Sequence, residues 1–341
     1  MKSTGKIKVG IIGAGRIGKL HAEHLAFAIR NADPVAIADI IKNVAEETAK
    51  HLNIPFATND YRKILDDRAI AAVVICTSTE THSQLIQEAA AADKHIFCEK
   101  PIDLTLEKIH LALKAVEKAN VKFQVGFNRR FDPNFSGIKE LIAAGKIGQP
   151  HLLRITSRDP APPPLEYIRS SGGIFLDMTI HDFDMARYLI GSEVAEVYAV
   201  GNVLIDARFR NADDVDTAAT TLKFENGTIG IIDNSRKAVY GYDQRIEVFG
   251  SLGMVQASNK TPDNLTIMTA ESVHSSKPLY FFLERYKESF IAEMQAFIDA
   301  IINDTVPPIT GKDGLMPVKI ALAAKTSLAE NRPVKLNEIK F

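Results

Sequence analysis

The sequence predicts an α/β Rossmann domain with a parallel sheet, followed by an α+β domain with a large open, mostly antiparallel sheet. Three observations predict it. Short apolar runs alternate with helix-compatible segments as far as residue 126, the pattern of a parallel sheet covered on both faces. A glycine-rich turn follows the first apolar run. Beyond residue 127 the alternation gives way to strand-like runs, two of them joined by Asn226-Gly227, a strong hairpin signal. The expected division is therefore residues 1–126, a dinucleotide-binding domain, and residues 127–341, a second, α+β domain.

The elements follow in order. Ile7–Ile12 reads as a buried strand, Arg16–Ile29 as a helix, Pro34–Asp39 as a strand and Val44–Leu52 as a helix. Asp60 can cap a short helix through Leu65, and Ala72–Cys76 is a third buried strand. Thr81 and Gln84 have capping-box spacing at the start of a helix that carries Leu85, Ile86 and Ala89. The strand His95–Cys98 ends on Glu99-Lys100-Pro101, and a helix over Leu106–Ala119 and a strand over Lys122–Gly126 complete the half. The second half opens with a helix over Phe135–Ala144. Strand-like runs follow at His151–Ser157, Val194–Val203, Thr217–Phe224, Thr228–Asp233 and Gln244–Phe249, with helices near 174–190, 282–302 and 313–328. Pro160–Pro164 reads as a stiffened loop at a cleft.

The 341 residues suggest two domains with ample core, and 46% apolar with 24% charged residues is ordinary for a soluble protein. A net charge of −1 gives no reason to expect nucleic acid or an anionic membrane as partner. Cys76 and Cys98 lie in apolar runs without metal-ligand spacing, which fits a reducing compartment. Met1–Lys8 lacks an apolar leader segment, and no apolar run approaches the ~20 residues that span a bilayer. A cytoplasmic protein is expected.

Gly13-Ala14-Gly15-Arg16-Ile17-Gly18 matches the dinucleotide fingerprint directly after a strand and at the start of a helix. Gly13 serves the tight turn, Gly15 the close approach of the pyrophosphate, and Gly18 the packing of helix on strand. Asp39 ends the second strand at the distance where a carboxylate accepts from the adenosine ribose hydroxyls and repels a 2′-phosphate. A helix cap is its alternative reading. Ile40 and Ile41 follow with no arginine for that phosphate, so NAD is expected rather than NADP. Thr77 and Thr79, past the third strand, either line the cofactor or cap the following helix. Glu99 and Lys100 stand beyond the carboxyl end of a strand, where open parallel sheets bind ligands.

Asp177, His181 and Asp184 would share one face of a single helix at i, i+4 and i+7, with Asp182 on another. A carboxylate one turn from a histidine can orient the ring for general base work. The alternatives are a surface helix with scattered charges and a metal site. No metal is expected, because nothing nearby supplies further ligand spacing.

The chain resembles the glucose-fructose oxidoreductase/inositol dehydrogenase (Gfo/Idh/MocA) family over essentially its full length. The resemblance rests on Gly13–Gly18, Glu99-Lys100-Pro101, and Gly172-Gly173 followed by Asp177 and His181. The segments Gly126–Asp132, Arg158–Pro164, Asp177–Asp184 and Tyr240–Asp243 are most similar to the inositol dehydrogenases. The resemblance implies Lys100, Asp177 and His181 as catalytic residues, Arg130 and Asp184 as polyol contacts, and Tyr240 and Tyr286 as tyrosine contacts. It also implies a dimer or tetramer associating through the second domain's sheet, a homotetramer being the expected form. The implied activity is NAD-dependent oxidation of a secondary hydroxyl of a cyclic polyol, myo-inositol foremost. The alternatives are a dehydrogenase of scyllo-inositol, glucose or a related sugar, and a non-catalytic NAD-binding sensor.

Overall fold

The computed structural model describes residues 5–340. The opening Met1–Thr4, part of the segment expected to carry no secretory leader, lies outside the described residues. By their contacts the described residues form two units, 5–128 with 288–316, and 129–287 with 317–340.

The first unit runs β1 (Ile7–Ile12), α1 (Arg16–Phe27), β2 (Ala32–Ala38), α2 (Lys42–Leu52), β3 (Phe56–Thr58), α3 (Arg62–Asp66), β4 (Ala72–Ile75), α4 (Thr79–Ala91), β5 (His95–Glu99), α5 (Leu106–Ala119) and β6 (Phe123–Gly126). Its six strands are all parallel in the order β3-β2-β1-β4-β5-β6. The order reverses beside β1, so the turns after β1 and β4 flank the crevice where such sheets take a dinucleotide. Strands covered on both faces need continuous apolar runs, and β4 is buried at all four positions. The helix after β4 begins at Thr79, not at Thr81. The Thr81 hydroxyl donates back to the Ser78 carbonyl at 2.8 Å instead of capping.

The second unit holds α6 (Pro133–Ala143), β7 (Pro150–Arg158), α7 (Leu165–Ser170), α8 (Ile174–Asp177), α9 (Ile180–Ile190), β8 (Val194–Asn202), β9 (Thr217–Phe224), β10 (Ile229–Ser235), β11 (Asp243–Gly250), β12 (Gly253–Ala257), β13 (Thr266–Met268), β14 (Val273–Ser275) and α10 (Phe282–Arg285). α11 (Lys287–Asn303), α12 (Gly311–Glu330) and β15 (Val334–Lys335) complete the chain. The seven-stranded sheet has the order β12-β11-β7-β10-β9-β8-β15. Only β7 and β10 pair in parallel, so the sheet is mostly antiparallel. Gly227, at φ +88°, makes the expected hairpin between β9 and β10. Strict alternation of buried and exposed residues along β9 and β10 shows one face packed and one open. Tyr198 and Val200 of β8, Ile229 and Ile231 of β10, Phe249 of β11 and Met254 of β12 are all exposed.

The structure departs from the expected boundaries in three places. Residues 288–316 pack with the first unit instead of the second, because Met294, Phe297 and Ile298 of α11 are fully buried in the core formed by Val9, Ile37, Val74 and Phe97. Burial of that size outweighs position along the chain, at roughly 1.5–3 kcal/mol for each large apolar side chain. Pro160–Pro164 is a loop as expected, but it leads into a helix that was not expected, α7, with Pro164 at its N-terminal boundary. The helix expected over 174–190 is two helices. The Thr179 amide and hydroxyl both donate to the carbonyl of Ile174, five residues back, which widens the turn and offsets the ladder. The hydroxyl also lies 2.9 Å from Oδ1 of Asn234 on β10, so the break is anchored to the sheet.

Candidate active site

The first unit builds a cradle after β1. Gly13 has φ +99°, and a Cβ there would meet the backbone of Cys76 at 2.7 Å; at Gly18 it would meet the Gly13 carbonyl at 1.9 Å. Both positions admit only glycine. Gly15 precedes α1, and a Cβ there would meet nothing within 4 Å. The amides of the Gly15-Arg16-Ile17 turn therefore stand beside open space at a helix N-terminus, which favours a pyrophosphate. Asp39 receives the Ala14 amide at 2.8 Å on Oδ2 and the Ile41 amide at 2.9 Å on Oδ1. It ties the fingerprint turn to the end of β2 and keeps a carboxylate where a ribose would lie. These residues fit a dinucleotide.

The loops after β4 and β5 are held together by a buried histidine that the sequence reading missed. His82 has Nδ1 2.8 Å from the Pro101 carbonyl and Nε2 3.0 Å from the Thr77 carbonyl. It thereby joins the segment of Thr77 to that of Lys100. Thr77 shares a 2.6 Å hydroxyl contact with Thr81, and Thr79 is the first residue of α4. Lys100 is partly buried at the end of β5, its amide donating to Oε2 of Glu99 at 3.3 Å. Glu99 turns inward onto His21 of α1, Oε1 to Nε2 at 2.7 Å.

The second unit gathers Asp177 and His181 differently from a single helix face. Gly172 and Gly173 both have φ +86°, and a Cβ on Gly173 would meet the Asp214 carboxylate at 2.7 Å. That carboxylate receives the Ile174 amide at 3.0 Å and so starts α8. Asp177 ends α8 and His181 is the second residue of α9, across the Thr179 break.

Asp177 is held by two groups the sequence reading did not name. Arg236 donates to its Oδ2 at 2.9 Å and Tyr167 donates to its Oδ1 at 2.7 Å. The same guanidinium, 3% exposed, donates to Oδ2 of Asp159 at 3.1 Å. Burial works against the Arg236 charge, but Asp177 and Asp159 outweigh it and raise its pKa. Asp159 is raised by burial despite that cation. The signal was present in the strand periods. Ile232, Asn234 and Arg236 fall on one face at period two, as do Ile155, Ser157 and Asp159, and charges at core-facing positions require partners.

The expected polyol contacts separate. Arg130 forks onto Asp184, Nε to Oδ2 at 2.9 Å and Nη2 to Oδ1 at 2.6 Å. Asp184 is 1% exposed with both oxygens on that fork, a geometry that suits it to holding Arg130. Arg129 makes the parallel pair with buried Asp182 at 2.5 Å, which Asn234 also supports at 2.8 Å. Tyr286 is enclosed at 1% exposure, with the Arg129 and Arg285 guanidiniums over its ring. Burial pushes its hydroxyl up to about 12 despite the two cations. It packs the interior and presents no surface to a ligand. Tyr240 is partly exposed and donates to Oδ2 of Asp243 at 2.6 Å, beside Arg158.

A six-stranded parallel sheet with this cradle defines a dinucleotide-binding domain. Residues 7–127 match the profile of the oxidoreductase family with an NAD-binding Rossmann fold, and residues 135–256 match the GFO/IDH/MocA C-terminal domain. The chain is 50% identical over 333 residues to the myo-inositol 2-dehydrogenase of Thermotoga maritima, covering 98% of this chain and 99% of that one. It is 46% identical to the inositol 2-dehydrogenase of Rhizobium meliloti, over 97% and 99% of the two chains. A solved scyllo-inositol dehydrogenase from Lactobacillus casei, with bound NAD(H) and scyllo-inositol, superposes with TM-score 0.92 at 34% identity, over 97% and 99%. The chain belongs to the Gfo/Idh/MocA oxidoreductase family and is an NAD-dependent enzyme. No helix among the described residues is long and apolar enough to cross a membrane.

Proposed function

We propose that this enzyme oxidises a secondary ring hydroxyl of a cyclic polyol, foremost the axial hydroxyl of myo-inositol, to the 2-keto product. The observation that carries the substrate is the 50% identity, over 98% of the chain, to a myo-inositol 2-dehydrogenase. Bound NAD supplies the hydride acceptor. The protein's part is to prepare the hydroxyl. His181 takes its proton as the carbon–hydrogen bond gives up hydride, and Asp177 orients that imidazole and steadies its charge. Lys100 donates to the same oxygen, where negative charge develops. Arg130, held by Asp184, grips a neighbouring hydroxyl, and Tyr240 is a further candidate contact. The exposed apolar face of the seven-stranded sheet supports association of copies, and a tetramer is our reading.

The test is NAD reduction followed by absorbance with myo-inositol, scyllo-inositol, glucose and other polyols. Fastest turnover with myo-inositol is expected. Turnover with another member alone moves the substrate and keeps the chemistry; none across the panel overturns the enzyme reading. The cofactor assignment has its own measurement. Asp39→Ala removes a charged acceptor of ribose hydroxyls and loosens the fingerprint turn, so NAD should bind roughly tenfold or more weakly while NADP gains relative to it. Titration of the reduced nucleotides, NADH and NADPH, by nicotinamide fluorescence checks this, and an unchanged ratio refutes the role.

A further inference from the structure

The first unit encloses three ionisable groups that the chemistry above leaves without a task. His21 of α1 and Glu293 of α11 are both fully buried, and the side chain of Glu99 at the end of β5 is 13% exposed. One ligating atom from each lies within 4.8 Å of the other two. His21 is wedged edge-on against Phe97 and Phe290, at 5.1 and 5.8 Å between ring centres, so little water reaches it. Glu99 has definite partners: His21 on Oε1 and the Lys100 amide on Oε2. Gly126 makes room for it, since a Cβ there would stand 3.1 Å from the carboxylate. Glu293 is the anomaly. Both its oxygens, and Nδ1 of His21, are buried without a hydrogen-bond partner.

Two buried carboxylates beside one imidazole cannot both stay charged without a countercharge. The titratable groups that act on them are His21 from α1, Cys76 after β4 and Cys98 of β5, and the Lys100 backbone amide donates to Glu99. Gln124 from β6 donates its amide to the Glu293 backbone carbonyl at 2.8 Å, not to the carboxylate. Both thiols are pushed well up by burial and by the Glu99 charge, so they stay neutral and add no further negative charge.

We propose that His21, Glu99 and Glu293 form a buried proton-holding site in which Glu293 is a neutral carboxylic acid. Its proton leaves Glu99 as the single carboxylate, committed to His21 and to the Lys100 amide. Glu99 and Glu293 are then positioning residues for Lys100, a consequence that rests on the reading of Lys100 as the group at the reacting oxygen. Burial and the Glu99 charge both push the Glu293 carboxyl well above the carboxylate range. A carboxyl raised in the folded state stabilises fully below its unfolded value and loses that contribution as pH rises through its folded value.

The experiment needs no turnover, so its outcome is separable from the assignment of Lys100. Infrared spectra of the wild-type protein near neutral pH should show a protonated carboxyl band that is missing from both Glu293→Gln and Glu293→Leu. Glu293→Gln keeps the neutral shape and cannot titrate. Its melting temperature relative to wild type should therefore climb by roughly 3 °C or more between about pH 5 and pH 8. Absence of the band, or a difference that stays flat with pH, overturns the proposal. So does one equivalent of metal in the wild type that is absent from Glu293→Gln, since the three groups would then be cation ligands. A wild-type pH profile of kcat that shifts in Glu293→Gln with KM unmoved would extend the effect to Lys100; a KM change alone would confine the site to proton holding.

Discussion

Lys100→Met is expected to lower kcat by roughly 10²–10³ with myo-inositol, leaving the affinity for NAD within a few fold. In the proposed scheme the ammonium would be worth this much because it would meet charge that exists mainly in the transition state. Methionine fills the same volume along the side chain but offers no donor. Glu99 and its bond to His21 remain, so the fold of the first unit should survive. Steady-state kinetics, with titration of NADH by nicotinamide fluorescence, measures both quantities. Full turnover in Lys100→Met would remove the lysine from the scheme, and a loss confined to NAD affinity would make it a cofactor contact only.

Arg236→Met should cost both stability and rate. The guanidinium is buried between Asp159 and Asp177, and removing one partner of a buried ionic cluster typically costs about 3–5 kcal/mol. The deficit has a direction in pH. Asp159 is already raised by burial, and Arg236 is the largest influence holding it down. Without that cation its folded pKa rises further above the unfolded value. The charge penalty is therefore absent below about pH 4, where both states hold the proton, and grows as pH rises toward the new folded value. Urea melts at several pH values check the trend, and a deficit independent of pH would mean that packing alone was lost. Turnover should fall with stability held in excess, because Asp177 loses one of the two groups that aim it. Arg236→Lys restores a charge but not the fork, so its partial recovery would separate charge from geometry.

How much of this could be read without coordinates follows from the range of each interaction. Gly13–Gly18 and Asp39 were legible because the demands are local and steric. A turn that tight excludes a Cβ, and the second strand must end one sheet position away. The strands of the first unit were legible for a similar reason, since burial on both faces leaves a continuous apolar run. The helix over 174–190 misled because the residues are compatible with helix throughout. Its break is made by Asn234, which captures Thr179 from fifty-five residues away. Arg130 and Asp184 were each expected to contact the polyol, and the fork that joins them to one another was not foreseen. Tyr286 was drawn as a ligand contact and proves to be interior packing.

The sequence by itself determined the two-domain α/β and α+β order, the NAD cradle, and the residue types at the ends of the strands. Backbone sterics and strand period act over a few residues, and those few are always adjacent in the chain. The tertiary structure alone decided which charges meet. It placed α11, and with it Glu293, against Glu99, and brought Arg236 to Asp177. Partners for buried charges are chosen by whichever groups the packing leaves within a few ångströms, and no spacing along the chain encodes that distance.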